Sequence, residues 1–488
     1  MSTAQHSNRR RFLQGSLAGA ATLAVSPRLW AQAPGANGDI RLGIIGIGEN
    51  ANGRGSNHLK EFGEKKGCRV VGVCDADSAV LDIVKGKLKN PDVQYYQDYR
   101  KLLENKDIDA VVIATPNHTH TLISIAALQA GKHVYVEKPV SHNLWEGRKL
   151  VEHAAKYPHL IVQHGMQRRS DHAWEEIMAY VKTGALGKPV VSRGLCYKLR
   201  DTIGKVGTPV APPSTVDYNL WSGTRPELPV HRKRFHYDWH WQWEYGNGDI
   251  GNQGPHQLDV ARWLIGDPQA CPDNVLSIGG RFGYDDDATT ANTQIAFYDF
   301  KPVPVIFEVR GLPDKDMNFR GRVSTFRGKT GGAINIFECE GGSIVESKAY
   351  DKDGREMAKF EKNDGAEHQD RFLKALREGK SAATHNALTG HLSAGLAHMA
   401  NHSHRCGAET SIADIKAKIG GNALFSETFD RLLTHLTDNK IDLAGVKPVL
   451  GAFLSMDPVK EIYTGENAAM ANKFNSEEYR AGFTIPHA

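Results

Sequence analysis

The chain reads as an α/β protein of two domains whose first domain is a doubly wound parallel sheet, and three observations support this. From Ile40 to about Pro158, short apolar runs alternate with helical periodicities. A glycine-rich turn, Gly46-Ile47-Gly48 through Gly53-Arg54-Gly55, follows the first of those runs where a helix must begin. The later run Lys132-His133-Val134-Tyr135-Val136 closes on Glu137-Lys138-Pro139, which sets a lysine at the carboxyl end of a buried strand. In open α/β sheets the ligand crevice lies just beyond those ends.

The residues before the first strand stand apart. Arg9-Arg10-Arg11-Phe12-Leu13-Gln14 joins arginines to bulky apolar residues, and the run Leu17 to Val25 that follows is small, apolar and too short to span a bilayer. With the small-x-small pattern Ala31-Gln32-Ala33, residues 1–33 are expected to be a twin-arginine export signal. The mature chain is then periplasmic, delivered by the twin-arginine export machinery, with no stable membrane insertion once the signal is removed.

The elements follow in order. Arg41-Leu42-Gly43-Ile44-Ile45 is the first strand. Gly46, Gly48 and Gly53 then let backbone amides approach a pyrophosphate at the positive end of the next helix. Counted directly, Ala51 takes the third glycine position of a G-x-G-x-x-G pattern, whereas reading Glu49 to Asn52 as an insertion restores a glycine run through Gly53 and Gly55. The second strand, Arg69 to Val73, ends in Cys74-Asp75. An acid there accepts hydrogen bonds from ribose hydroxyls and repels a 2′-phosphate, which favours NAD, with NADP the alternative. The third strand, Asp109 to Pro116, runs into the loop Asn117-His118-Thr119-His120, and a helix follows around Leu122 to Ala130. Pro116 ends ladder hydrogen bonding and turns that loop across the cofactor edge. Thr115, Pro116, Asn117, His120 and Glu137 complete the expected cofactor contacts. His118 and His120 have no third ligand nearby, so no metal is expected.

Composition narrows the function. The formal charge of +4 is spread along the chain without a basic block, which points to neither nucleic acid nor an anionic membrane. The six cysteines show no C-x-x-C pair, so neither a metal finger nor a dithiol redox site is indicated, and Cys68 and Cys74 are expected to pack as small hydrophobes.

The second half carries a dense aromatic and charged cluster. Arg234-Phe235-His236-Tyr237-Asp238-Trp239-His240-Trp241-Gln242-Trp243 leads into Gly251-Asn252-Gln253-Gly254-Pro255-His256-Gln257-Leu258-Asp259. Aromatic rings stack on sugar C–H faces while arginine and histidine bond hydroxyls, so this mixture suits a saccharide or an aromatic core corner. Alternation puts Trp239, Trp241 and Trp243 on one face of a strand. His256, entering a helical run, can take a proton near neutrality, and Asp259 three residues on is placed to orient its ring.

Together, Gly46-Ile47-Gly48, Cys74-Asp75, Ala114-Thr115-Pro116-Asn117-His118, Glu137-Lys138-Pro139 and Gly251 to Asp259 resemble a Gfo/Idh/MocA family oxidoreductase over nearly all the mature chain. The resemblance implies a Rossmann domain, 39–158, then an α+β substrate domain, 159–455, built on a large open, mostly antiparallel sheet. It further implies that Lys138 polarises the reacting hydroxyl and that His256 shares in proton transfer. Arg168, Tyr237, Trp239, Trp241, Asn252 and Asp259 are the expected substrate contacts. Many family members carry an aspartate where this chain has Asn252, which removes an acid–base group there and leaves Asp249 as the nearest substitute.

Thr293 to Phe297, Val303 to Val309 and Ala333 to Phe337 are expected strands of the second sheet. His398-x-x-x-His402 reads as structural, the stripe Phe425, Phe429, Leu432, Leu433 and Leu436 as core or a subunit contact, and residues 456–488 as an arm over a neighbouring subunit of a homo-oligomer. Because free nicotinamide cofactor is scarce in the periplasm, the expected activity is an NAD-dependent oxidoreductase acting on a sugar with the dinucleotide tightly held. A redox-neutral glycosidase that oxidises, eliminates and returns the same hydride, and a cofactor- or sugar-binding relative without turnover, are the alternatives.

Overall fold

Apolar runs buried on both faces build the first domain in the computed structural model, which describes residues 38–313, 332–476 and 478–488. The expected export signal lies outside the described residues. Strands β1 (Ile40–Ile45), β2 (Cys68–Cys74), β3 (Gln94–Tyr96), β4 (Ala110–Ile113), β5 (His133–Val136) and β6 (Val162–His164) form one sheet in the order 3-2-1-4-5-6, with every pair parallel. The order reverses between β1 and β4, which opens a crevice at their carboxyl ends. Cys68 and Cys74, the first and last residues of β2, are buried, and all six cysteines are free thiols.

Crossover helices cover both faces, and short polar side chains start several of them. Asp77 caps helix Ser78–Leu88 by accepting from the Ala79 amide, and Asn143 caps Leu144–Lys156 by accepting from the Glu146 amide. One helix begins earlier than expected. The segment Asn117 to His120 is the first turn of helix Asn117–Gln129, not a loop, because Pro116 at the N-cap turns the chain straight into it. The sheet also continues past residue 158, to His164.

The second domain is a mixed sheet. Its main path runs β14 (Glu356–Lys359), β13 (Lys348–Asp351), β12 (Gly342–Val345), β11 (Ala333–Cys339), β7 (Pro189–Tyr197), β10 (Val305–Arg310), β9 (Thr293–Tyr298), β8 (Asn274–Gly280), and only β7 and β10 pair in parallel. Helices Gly254–Leu264 and Ala387–Arg405 share a core with the sheet through Leu258, Ala261, Leu392, Leu396 and Phe307. The stripe Phe425, Phe429, Leu432, Leu433 and Leu436 of helix Ala423–Asp438 packs with Ile278 and Ile295 as core of its own chain.

One further expectation is corrected. Trp239 and Trp241 lie in a 3-10 turn, Asp238–Trp241, and not on a strand face, because the Asp238 carboxylate folds back to accept from the Arg234 amide. In the last residues, Phe483 and Ile485 are buried in the first domain's core, and Tyr479 stacks on Trp145 and donates to Glu146. Among the described residues, no helix is long and apolar enough to cross a membrane.

Candidate active site

A cavity of about 630 Å³ opens at the switch point and runs from the glycine turn to the second domain. At one end Gly46, Gly48, Gly53 and Asp75 line it. The expected insertion is a single 3-10 turn, Glu49–Ala51, and the turn closes on itself so tightly that a Cβ on Gly55 would sit 1.7 Å from the Gly46 carbonyl oxygen. Gly48 has φ 96°, which side chains disfavour. Asp75 binds this turn: one carboxylate oxygen accepts from the Ile47 amide at 2.7 Å and the Gly48 amide at 3.3 Å, the other from the Asp77 amide at 3.0 Å. Burial pushes its carboxyl up despite those amides. Asp75 therefore shapes the turn while also lining the cavity.

The middle of the cavity is lined by Thr115, Pro116, Asn117 and His120. The ring of His120 spans two loops, with Nδ1 2.6 Å from the Pro139 carbonyl oxygen and Nε2 2.7 Å from that of Thr115. It ties the end of β4 to the end of β5, which fixes where Lys138 emerges. Asn117 donates to the Asn247 side chain at 3.0 Å and so fastens this helix start to the second domain.

At the far end lie the reactive groups. The Lys138 ammonium donates to the Asn252 carbonyl oxygen at 2.6 Å, with the Asn252 side-chain oxygen 3.5 Å away. Burial lowers the Lys138 pKa while the neighbouring Glu137 carboxylate opposes that shift. Glu137 is itself buried, and accepts from Arg54 and His58 at 2.8 Å each. The Arg54 guanidinium and the His58 hydrogen bond overcome burial and hold its carboxyl well below the usual range. His256 lines the same end, and burial together with the Lys138 charge keeps its imidazole neutral. Its Nδ1 is buried without a hydrogen-bond partner.

The model for an oxidoreductase family NAD-binding Rossmann fold, Gfo/Idh/MocA, matches residues 40–165, and the model for the oxidoreductase family's C-terminal alpha/beta domain matches residues 172–434. The chain belongs to the Gfo/Idh/MocA family. Inositol 2-dehydrogenase of Salmonella typhimurium is 31% identical over 175 residues, which is 35% of this chain and 50% of that protein. Alpha-N-acetylgalactosaminidase of Shewanella oneidensis is 32% identical over 158 residues, 30% of this chain and 33% of that protein. The chain thus spans half or less of the curated relatives it matches. The WlbA dehydrogenase of Bordetella pertussis, solved with NADH and UDP-GlcNAcA, shares the fold with a TM-score of 0.53 at 18% identity, covering 74% of this chain and 96% of that one. Scyllo-inositol dehydrogenase of Lactobacillus casei gives a TM-score of 0.52 at 18% identity over 74% of this chain and 95% of the other.

Within this family framework, not every expected contact reaches the cavity. Tyr237, Trp239 and Asn252 line it. Trp241 does not, and instead lies under the Arg200 guanidinium at 5.4 Å. Arg168 is held on Asn335 and Glu346. Asp259 does not orient His256: both its oxygens take the fully buried Arg169, and one also takes the Ser393 hydroxyl. A desolvated guanidinium binds a carboxylate more strongly than a neutral ring three residues away. Asp249 is equally committed, to Arg200 at 2.6 and 3.1 Å, so it does not replace the missing aspartate. The His398 and His402 rings are spent on Ser141 and Tyr463.

Other residues at the cavity were not among the expected contacts, although Arg234, His236 and His240 belong to the aromatic and charged cluster. Arg54, Gln167, Arg234, His236 and His240 all line it. A connection from the second domain crosses over the first, where the Asp217 amide bonds the Ala76 carbonyl and the Ser78 amide bonds that of Thr215. It brings His236 to Asp77 at 2.9 Å and Arg234 to Glu49 at 3.1 Å, across the mouth of the cavity.

Proposed function

We propose that this protein is an NAD-dependent oxidoreductase that oxidises a ring carbinol of a sugar or sugar derivative. The observation that carries the reading is the Lys138 ammonium, joined to Asn252 across the domain junction and next to neutral His256 in the same cavity as the glycine turn. The glycine turn and Asp75 would hold the dinucleotide, whose nicotinamide, when bound, supplies a hydride acceptor. Lys138 exchanges its bond to the Asn252 carbonyl for one to the substrate oxygen and stabilises negative charge there as the proton leaves. Tyr237 and Trp239 offer ring faces and a hydroxyl to a saccharide.

Asp75 disfavours a 2′-phosphate, so the cofactor is NAD, and the crossing connection closed by Arg234 and His236 supports its tight retention. The twin-arginine pattern at the N-terminus supports export and a periplasmic location. A second reading is a cycle in which the hydride returns and a glycoside is cleaved without net oxidation. Similarity to an alpha-N-acetylgalactosaminidase supports it.

The test is mass spectrometry of the dinucleotide released from the purified protein, followed by a panel of sugars, cyclitols and glycosides read by reduced-nicotinamide absorbance and by product analysis. Accumulated reduced cofactor with a ketone product establishes the dehydrogenase. Released aglycone without net reduction establishes the glycosidase, and a protein that holds no dinucleotide and ignores added NAD overturns both.

A further inference from the structure

The turn Asp238–Trp241 presents a second histidine to the reaction end of the cavity. His240 lines it together with Lys138 and His256. Its imidazole stacks on Trp239 with ring centroids 3.7 Å apart and planes 19° from parallel, which fixes the ring's orientation. Its Nδ1 lies 2.6 Å from the Tyr237 carbonyl oxygen. A carbonyl oxygen only accepts, so Nδ1 carries the proton and Nε2 presents a lone pair. Among the described residues Nε2 has no hydrogen-bond partner. Burial, with Lys138 and two arginines adding to it, holds the pKa down at about 3, so the ring is neutral at physiological pH. His256 shares the cavity and is also neutral, but its Nδ1 is orphaned, no hydrogen bond among the described residues fixes its tautomer, and Asp259 faces away to Arg169.

We propose that Nε2 of His240 accepts the proton of the substrate hydroxyl, an assignment that rests on the oxidoreductase reading above. As the carbinol C–H bond breaks, its electron pair leaves as hydride to the oxidised nicotinamide. The O–H bond gives its proton to Nε2, and the C–O bond becomes C=O. Lys138 beside the oxygen acidifies the hydroxyl, which is what lets a weakly basic ring take its proton. The resulting imidazolium donates from Nδ1 to the Tyr237 carbonyl and lies on the face of Trp239, where a cation–π contact stabilises it.

The experiment uses the full holoprotein with a sugar that reduces its cofactor, and compares wild type, His240→Ala and His240→Gln in single-turnover reduction, with sugar affinity measured by calorimetry. Both variants should slow hydride transfer by about 10²- to 10⁴-fold with sugar Kd changed less than about threefold. Added imidazole should restore the Ala variant, whose cavity admits it, and leave the Gln variant slow. Reduction by His240→Ala within about threefold of wild type, or a loss that imidazole does not restore, overturns the assignment. A loss matched by an equal loss of sugar affinity does the same. Failure of the wild type to reduce its cofactor with any saccharide instead overturns the oxidoreductase reading on which the assignment rests.

Discussion

At the scale of single residues, Lys138 sits between opposing effects of which burial is the larger. Burial lowers its pKa, Glu137 raises it, and Arg54 and Arg200 push it down again. Lys138→Met keeps the volume and removes the charge, so hydride transfer should fall by at least about a hundredfold while the released dinucleotide is unchanged by mass spectrometry. Asn252 tunes the same group. With its side-chain oxygen 3.5 Å from the ammonium, Asn252→Asp places an opposite charge there and favours the protonated lysine. The Lys138 pKa then rises, so the basic limb of the kcat/KM profile should move to higher pH; an unmoved limb, or one displaced downward, contradicts the arrangement. At the cofactor end, Gly55 tolerates nothing larger, because its Cβ would meet the Gly46 carbonyl oxygen at 1.7 Å. Gly55→Ala should displace the turn and abolish dinucleotide retention in the purified protein.

At the scale of elements, the parallel strands and the glycine turn are local features, and local pattern revealed them. Continuous apolar runs such as Ala110–Ile113 are buried on both faces, and the glycine turn shows as closely spaced glycines directly after the first strand's apolar run. The lid over the cavity is a different case. Arg234, His236 and His240 reach the site only because the connection between β7 and β8 folds back over the first domain, and that placement rests on contacts such as Asp217 with Ala76, which no periodicity encodes. For the same reason, helical spacing joined Asp259 to His256, whereas the structure joins it to Arg169, 90 residues earlier in the chain. The lid's two side-chain contacts yield a graded prediction. An exposed pair such as Arg234 with Glu49 contributes under about 1 kcal/mol, so Arg234→Ala should speed cofactor dissociation by no more than about fivefold. His236 with Asp77 is much less exposed, so the double variant with His236→Ala should release cofactor faster than either single change. Stopped-flow fluorescence of the departing dinucleotide reads these rates, and identical rates in the wild type and all three variants would remove the lid from the account of retention.

At the scale of the whole molecule, the two domains are joined through buried histidines that carry no charge when folded. His164 ends β6 in the first domain, while His368 and His385 come from the second. The His164 and His385 rings are stacked 5.9 Å apart, and the Ser170 hydroxyl bridges His368 and His385 at 2.8 Å to each. Burial lowers their pKa values to about 4 for His164, about 3 for His368 and about 2 for His385. In the unfolded chain each titrates near 6.5, so between that pH and the folded values the unfolded state binds more protons. Stability is therefore full above about pH 6.5 and is lost progressively as pH falls towards the folded values. At pH 5 each ring withdraws about 2 kcal/mol, with the three coupled to one another. Buried carboxylates such as Asp259 and Glu461, held at about 2, lose their contribution only at lower pH, so the interval from 6.5 to 5 isolates histidines. Other buried rings, among them His133 and His404 at about 4, add to the slope in every variant. The informative quantity is consequently a difference. Thermal melts of wild type and His164→Gln/His385→Gln at pH 7.5 and 5 should show a smaller acid-induced fall in Tm for the double variant, even if its Tm at pH 7.5 is lower. An equal fall in the two proteins would mean that the junction keeps its neutral rings at no energetic cost, and that acid opens the molecule elsewhere.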